Sequence, residues 1–144
     1  MYELIKRKST GFRIILGIII FAFVSLVFKM AFNKPSPTLN DDLIGAANNI
    51  NAHAPIVIDS MLRFDRVNAL HGNTFQYNYT LLTKDKSQID TNLLKTSGRQ
   101  LLIDQIKQNP KSFIFRDNGV VIEARYVDKN GDYVALISIS PNEY

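Results

Sequence analysis

An α+β domain behind a transmembrane helix is the architecture this sequence predicts, and three observations carry it. Residues 12–32, FRIILGIIIFAFVSLVFKMAF, are almost wholly apolar. Two later stretches alternate apolar and polar residues as paired strands do, each pair locking into one apolar register. An amphipathic helical pattern precedes each pair. The expected order is helix, hairpin, helix, hairpin, giving a four-stranded antiparallel sheet with helices on one face.

The apolar stretch comes first. As a helix its 21 residues reach about 31 Å, close to the ~30 Å hydrocarbon core of a bilayer. Lys6, Arg7, Lys8 and Arg13 crowd its N-terminal flank, against Lys29 and Lys34 at the other end. The positive-inside bias therefore predicts a cytoplasmic tail (1–11), a transmembrane helix (12–32) and a remainder on the far side of the membrane. A cleaved signal peptide would show a shorter apolar region and an Ala-x-Ala site. The residues after Val27, FKMAFNKPSP, lack that site, so an uncleaved signal anchor is expected, with the lipid bilayer as partner through residues 12–32.

The proline-bearing stretch 33–38 reads as a short, stiff linker, and 39–144 as one extracytoplasmic α+β domain. Thr38 and Asp41 resemble a capping box, and Leu39, Leu43, Ala46, Ala47 and Ile50 recur at helical spacing until Pro55, predicting a helix over roughly 38–52. Two β-rich runs follow, 56–70 and 74–82, around His71-Gly72-Asn73. Pairing Leu70 with Thr74 sets Ala69 opposite Phe75 and Val67 opposite Tyr77. Keeping Phe64 with Tyr79 and Leu62 with Leu81 on that face demands one extra residue near Asp65-Arg66, so a β-bulge is predicted there.

Residues 83–88 read as a loop, after which Asp90 can cap a helix to about Asn109 with the stripe Leu94, Leu101, Leu102 and Ile106. Gly98 within it is either a close-packing point or a break. Pro110 can open a further turn carrying Phe113 and Phe115, ended by Asp117-Asn118-Gly119. The last hairpin, 120–128 with 132–140, surrounds Asn130-Gly131, which suits a type I′ turn. Pairing Lys129 with Asp132 sets Tyr126 opposite Ala135, Ala124 opposite Ile137 and Ile122 opposite Ile139, all apolar.

Charge removes one class of partner. Residues 1–34 hold six Lys or Arg against Glu3, a net +5, whereas 35–144 hold eleven against twelve Asp or Glu, a net −1. The pI of 9.4 belongs to the N-terminal segment and argues for no nucleic-acid partner. With no cysteine, thiol catalysis and thiolate metal sites are excluded. His53 and His71 are the only histidines and form no H-E-x-x-H pattern, so no metal and no cofactor are expected. Neither G-x-S-x-G nor a P-loop occurs.

Three segments, VIDSMLRFD (57–65), YNYTL (77–81) and YVDKNG (126–131), resemble the VDxxTRLD-like, YNYTL and YxDKNG elements of a functionally uncharacterised group of small, membrane-anchored bacterial envelope proteins. Leu62 stands where the first element has threonine. The resemblance spans most of 39–144 and implies the architecture and the envelope compartment, with the helix in the bacterial inner membrane, the domain periplasmic or extracellular, and no chemistry attached.

The candidate site lies on the first hairpin. Arg63 and Asp65 share a strand face, with Gln76, Asn78 and Thr80 beside them and Asp59 just upstream, and this set can hold a peptide or glycan. The plainer reading is a solvated sheet face with a weak ion pair. Asp59 and Asp65 also invite comparison with the paired acids of glycoside hydrolases, a spacing many acid pairs meet. Phe75, Tyr77 and Tyr79 read as core rather than as a stacking platform. The expectation is a non-enzymatic binding or accessory protein of the bacterial envelope, anchored in the membrane and docking on an envelope protein. Alternatives are an immunity or phage-exclusion protein and a small envelope hydrolase.

Overall fold

Residues 39–110 and 112–144 are described by a computed structural model of the protein. The expected tail (1–11), transmembrane helix (12–32), linker (33–38) and the Thr38 cap lie outside the described residues.

The first helix, α1 (Leu39–Asn51), buries Leu43, Ala46, Ala47 and Ile50, the stripe its spacing predicts. The run expected as one strand from 56 to 70 is split. Ile56–Val57 form a short β1 that pairs antiparallel with β2 (Leu62–Leu70), Ile56 opposite Phe64 and Val57 opposite Arg63. β2 pairs with β3 (Thr74–Leu81) in the predicted register, from Leu70 opposite Thr74 to Leu62 opposite Leu81. Phe64 faces Tyr79 while Arg66 faces Asn78, so the bulged residue is Asp65, where apolar matching required it.

After a 3₁₀ turn (Lys86–Gln88), α2 runs unbroken from Thr91 to Gln108, and Asp90 caps it by accepting the Leu93 N–H at 2.9 Å. Gly98 is a close-packing point: a Cβ there would stand 2.9 Å from Ile137 Cδ1, and the end of that side chain would have to shift to admit it. A short α3 (Phe113–Asp117) precedes β4 (Val121–Val127), which pairs with β5 (Tyr133–Ile139) in the predicted register over Ile122–Ile139, Ala124–Ile137 and Tyr126–Ala135.

The four-stranded antiparallel sheet is corrected by this topology. The sheet has five strands in the order β1-β2-β3-β4-β5 and is mixed, because β3 and β4 lie parallel from Thr74 opposite Val121 to Thr80 opposite Val127. Chain length explains the join. Eighteen helical residues span ~27 Å, about the ~26 Å length of β3. α2 thus returns the chain to the end where β3 began, and β4 can only enter alongside it in the same direction.

The final turn also differs from the expected type I′. Within it only Gly131 has positive φ, 89°, and its N–H donates to the Asp128 carbonyl at 3.0 Å. The tight turn over 128–131 leaves Val127 opposite Tyr133, one out of step with the predicted pairing, and the unmatched residue Val134 restores the register at Tyr126 opposite Ala135. Asp128 organises it from a buried position. Its carboxylate accepts from the backbone N–H of Asn130 (2.8 Å), Asp132 (2.9 Å) and, across the gap to the β3–α2 loop, Lys86 (2.8 Å).

Burial pushes the Asp128 carboxyl up, but the N–H donors of Lys86, Asp132 and Asn130 outweigh it and hold the group below the usual carboxylate range. A depressed folded-state pKa supplies stability that is complete above the unfolded value, ~3.9, and is lost as pH falls from there through the folded value. Asp128→Asn is therefore expected to flatten the acid limb of melting temperature against pH. Asp85 and Glu143, also held low by their partners, sustain the rest of that limb. Identical acid limbs in the two proteins would contradict the assignment.

Both helices pack on one face of the sheet, α1 against β2 and α2 against β5. Between them lie Phe64, Phe75, Tyr77, Tyr79, Ile122, Ala124, Tyr126, Ala135, Ile137 and Ile139. Phe75, Tyr77 and Tyr79 are thus core, as their alternation predicts, with Tyr79 stacked on Tyr126 at 5.4 Å across the parallel pair. Burial raises the phenol pKa of Tyr77, Tyr79 and Tyr126.

Candidate functional site

Every strand residue that alternates with the core points to the other face of the sheet, away from both helices. The register arranges these side chains in three rows across β2, β3, β4 and β5. Asn68, Gln76, Glu123 and Ser138 form one; Arg66, Asn78, Arg125 and Leu136 the next; Arg63, Thr80, Val127 and Tyr133 the third. The bulge adds Asp65, so Asp65 and Arg66 both stand on this face.

Five of the six expected site residues meet here, and three of them satisfy one another. Arg63 Nε donates to Asp65 Oδ1 at 2.6 Å, the Thr80 hydroxyl donates to Asp65 Oδ2 at 2.6 Å, and Arg63 Nη2 donates to the same hydroxyl at 3.3 Å. The Arg63 and Asp65 side chains are 38% and 24% exposed, so solvent screens the pair and its contribution is about 0–1 kcal/mol. Gln76 Nε2 donates to Glu123 Oε2 at 2.8 Å, joining β3 to β4. Asn78 Nδ2 reaches the Arg66 and Gln76 carbonyls at 3.4 and 3.3 Å.

Asp59 stands apart from this cluster. Its Oδ1 accepts the N–H groups of Met61 (2.6 Å) and Leu62 (2.8 Å), shaping the turn that folds β1 back onto β2. One acid is spent on a turn and the other on Arg63 and Thr80. Neither carboxylate is presented toward a common substrate bond, as a glycosidase pair must be.

Two residues outside the expected set carry the unspent charge. Among the described residues the ion pairs are Arg63–Asp65, Arg99–Glu143, Arg116–Asp117 and Lys129–Asp85, leaving Arg66 and Arg125 without a carboxylate within 4.0 Å. Arg125 lies instead over the Tyr133 ring, 5.7 Å from its centroid. Tyr133 and Leu136 are 47% and 36% exposed, large apolar side chains at the β5 side of the same face. His53 and His71 are exposed, one just past α1 and the other in the β2–β3 turn, and no group of three metal-ligating side chains occurs among the described residues.

No protein-family model matches the chain, and no curated protein matches it. Solved structures do. One described as a secreted protein of Pseudomonas aeruginosa shares 16% identity at a TM-score of 0.60, covering 73% of this chain and 91% of its own. The type II secretion system pilotin of Vibrio vulnificus gives 13% and 0.57, covering 73% and 90%. That of Vibrio cholerae gives 15% and 0.54, covering 74% and 92%.

At such identities the likeness establishes the fold, a pilotin-like α+β domain, in place of the expected helix-hairpin arrangement. The expected placement as a single-pass inner-membrane protein is corrected as well. Among the described residues no helix is long and apolar enough to cross a membrane. The similar structures are a secreted protein and two secretion-system pilotins, none described as an inner-membrane single-pass protein.

Proposed function

We propose that this domain is a non-catalytic accessory module of the bacterial envelope that holds an envelope protein on the open face of its sheet. The observation that carries the reading is the division of labour between the two faces. Helices occupy one, while the other presents a broad polar grid with an exposed apolar margin at Tyr133 and Leu136. The satisfied states of Asp59 and Asp65 argue for recognition over hydrolysis. Pilotins sharing the fold belong to a secretion system, which supports the envelope setting and the accessory role.

The test is photo-crosslinking of the full chain in intact cells of its own host. A photoreactive residue at Asn68 or Leu136, on the open face, is expected to give a discrete protein adduct. The same residue at Lys95 or Gln100, on the outer side of α2, is expected to give none. Adducts from the helix positions alone would overturn the reading.

A further inference from the structure

We infer that the Arg66–Asn78–Arg125 row is a carboxylate-binding site for an extended acidic segment of the protein partner. The inference rests on the reading of the open face as a docking surface and adds what that surface recognises. Arg66 and Arg125 flank Asn78 in one cross-strand row, two strand spacings apart, so their Cα atoms are about 10 Å from each other. Neither guanidinium has a carboxylate partner among the described residues, whereas Arg63 does. Asp65 is already held by Arg63 and Thr80, and Glu123 by Gln76, so the acids on this face have other bonds.

The chemistry of the row selects the ligand. Arginine presents a planar fork that a carboxylate meets with two parallel N–H···O bonds. In an extended chain, residues two apart point the same way, about 6.8 Å from each other. Two long arginine side chains rooted about 10 Å apart can converge on two such acids. Arg125 is steadied by the Tyr133 ring, and Leu136 lies next to Arg125 in the row, offering an apolar contact to a residue that follows the acids. The occupant is therefore an extended segment with acidic residues at alternate positions and an apolar residue beyond them. Residues 1–38 of this chain do not complement the row, since they carry six Lys or Arg against Glu3.

The test uses the purified full-length chain and a fluorescent synthetic peptide that alternates Glu and Thr and ends in Leu. Binding is read by anisotropy at two salt concentrations. Arg66→Gln and Arg125→Gln are each expected to weaken it roughly three- to tenfold, and the double variant by more than tenfold. Arg116→Gln, whose partner is Asp117 on α3, is expected to leave it unchanged. A peptide with Gln for Glu is expected to bind no better than background.

Equal affinity of the double variant for the acidic peptide would overturn the inference. So would arginine-dependent binding to phosphatidylglycerol vesicles without binding to the peptide, which would assign the row to lipid phosphates. In-cell crosslinks from Asn68 and Leu136 that persist undiminished in the double variant would overturn the row and leave the docking face standing. Their absence from the unaltered protein would overturn the face itself.

Discussion

Phe64→Ala is expected to lower the unfolding free energy by about 3–5 kcal/mol, the range for truncating a fully buried aromatic. Phe64 is 0% exposed and fits between the edge of the Tyr79 ring, 5.8 Å away, and Tyr77 at 6.4 Å. Across the strands it faces Tyr79 on one side and Ile56 on the other, so one side chain ties β1, β2 and β3 into the core. Removing it deletes the transfer energy of the ring and two aromatic contacts, and leaves a void in close-packed surroundings. A domain stable by about 5–15 kcal/mol loses a large share, and its melting temperature is expected to fall by more than 10 °C. Phe64→Leu, which keeps most of the volume, is expected to cost less than about 1.5 kcal/mol. Urea unfolding followed by near-ultraviolet circular dichroism reads both. A loss below about 1.5 kcal/mol for the alanine variant would place Phe64 outside the packed core.

Asn51→Ala is expected to cost about 2–4 kcal/mol, far more than a half-exposed polar residue at a helix end ordinarily would. β1 is too short to cover the outer edge of β2 beyond Arg63 and Phe64, and the Asn51 side chain takes over at Val67. Its Nδ2 donates to the Val67 carbonyl at 2.7 Å and its Oδ1 accepts the Val67 N–H at 2.8 Å, the two bonds a neighbouring strand would make. Alanine leaves both backbone groups unpaired beside a buried side chain, each at about 1–3 kcal/mol. It also bares a strand edge open to pairing with other chains. Asn51→Asp keeps the acceptor, removes the donor and sets a carboxylate against a carbonyl, so an intermediate loss is expected. Asn49→Ala, on the exposed side of α1, is the comparison and should change stability by less than about 0.5 kcal/mol. Equal effects at positions 49 and 51 in urea titrations would contradict the clamp.

The hairpins were legible because side-chain alternation has a period of two. Only one register of β2 on β3 buries Phe75, Tyr77, Tyr79 and Leu81 against Ala69, Val67, Phe64 and Leu62, and it forces the bulge at Asp65. The same pattern brought Arg63, Asp65 and Thr80 together from sequence alone. Alternation is silent about what joins two hairpins. The parallel contact between β3 and β4 follows from the length of α2, a tertiary quantity that leaves no mark on either strand.

Arg125 was missed for that reason, since nothing local sets it in the row of Arg66 and Asn78. The split of β1 from β2 did leave a sign. Asp59-Ser60 is a pair prone to turns, and Asp59 turned out to cap one instead of joining the site. Asp128 is a similar case. In the YVDKNG segment the Asn-Gly pair signals the turn, but the aspartate two residues earlier governs the loop.

The proposed docking surface is the face of the sheet opposite the helices. The most direct measurement is the yield of partner adducts from photoreactive residues at Asn68 and Leu136 relative to Lys95 and Gln100, in intact cells. A yield concentrated at the first two positions is the predicted result. A yield that is equal across the four, or higher on α2, would contradict the claim.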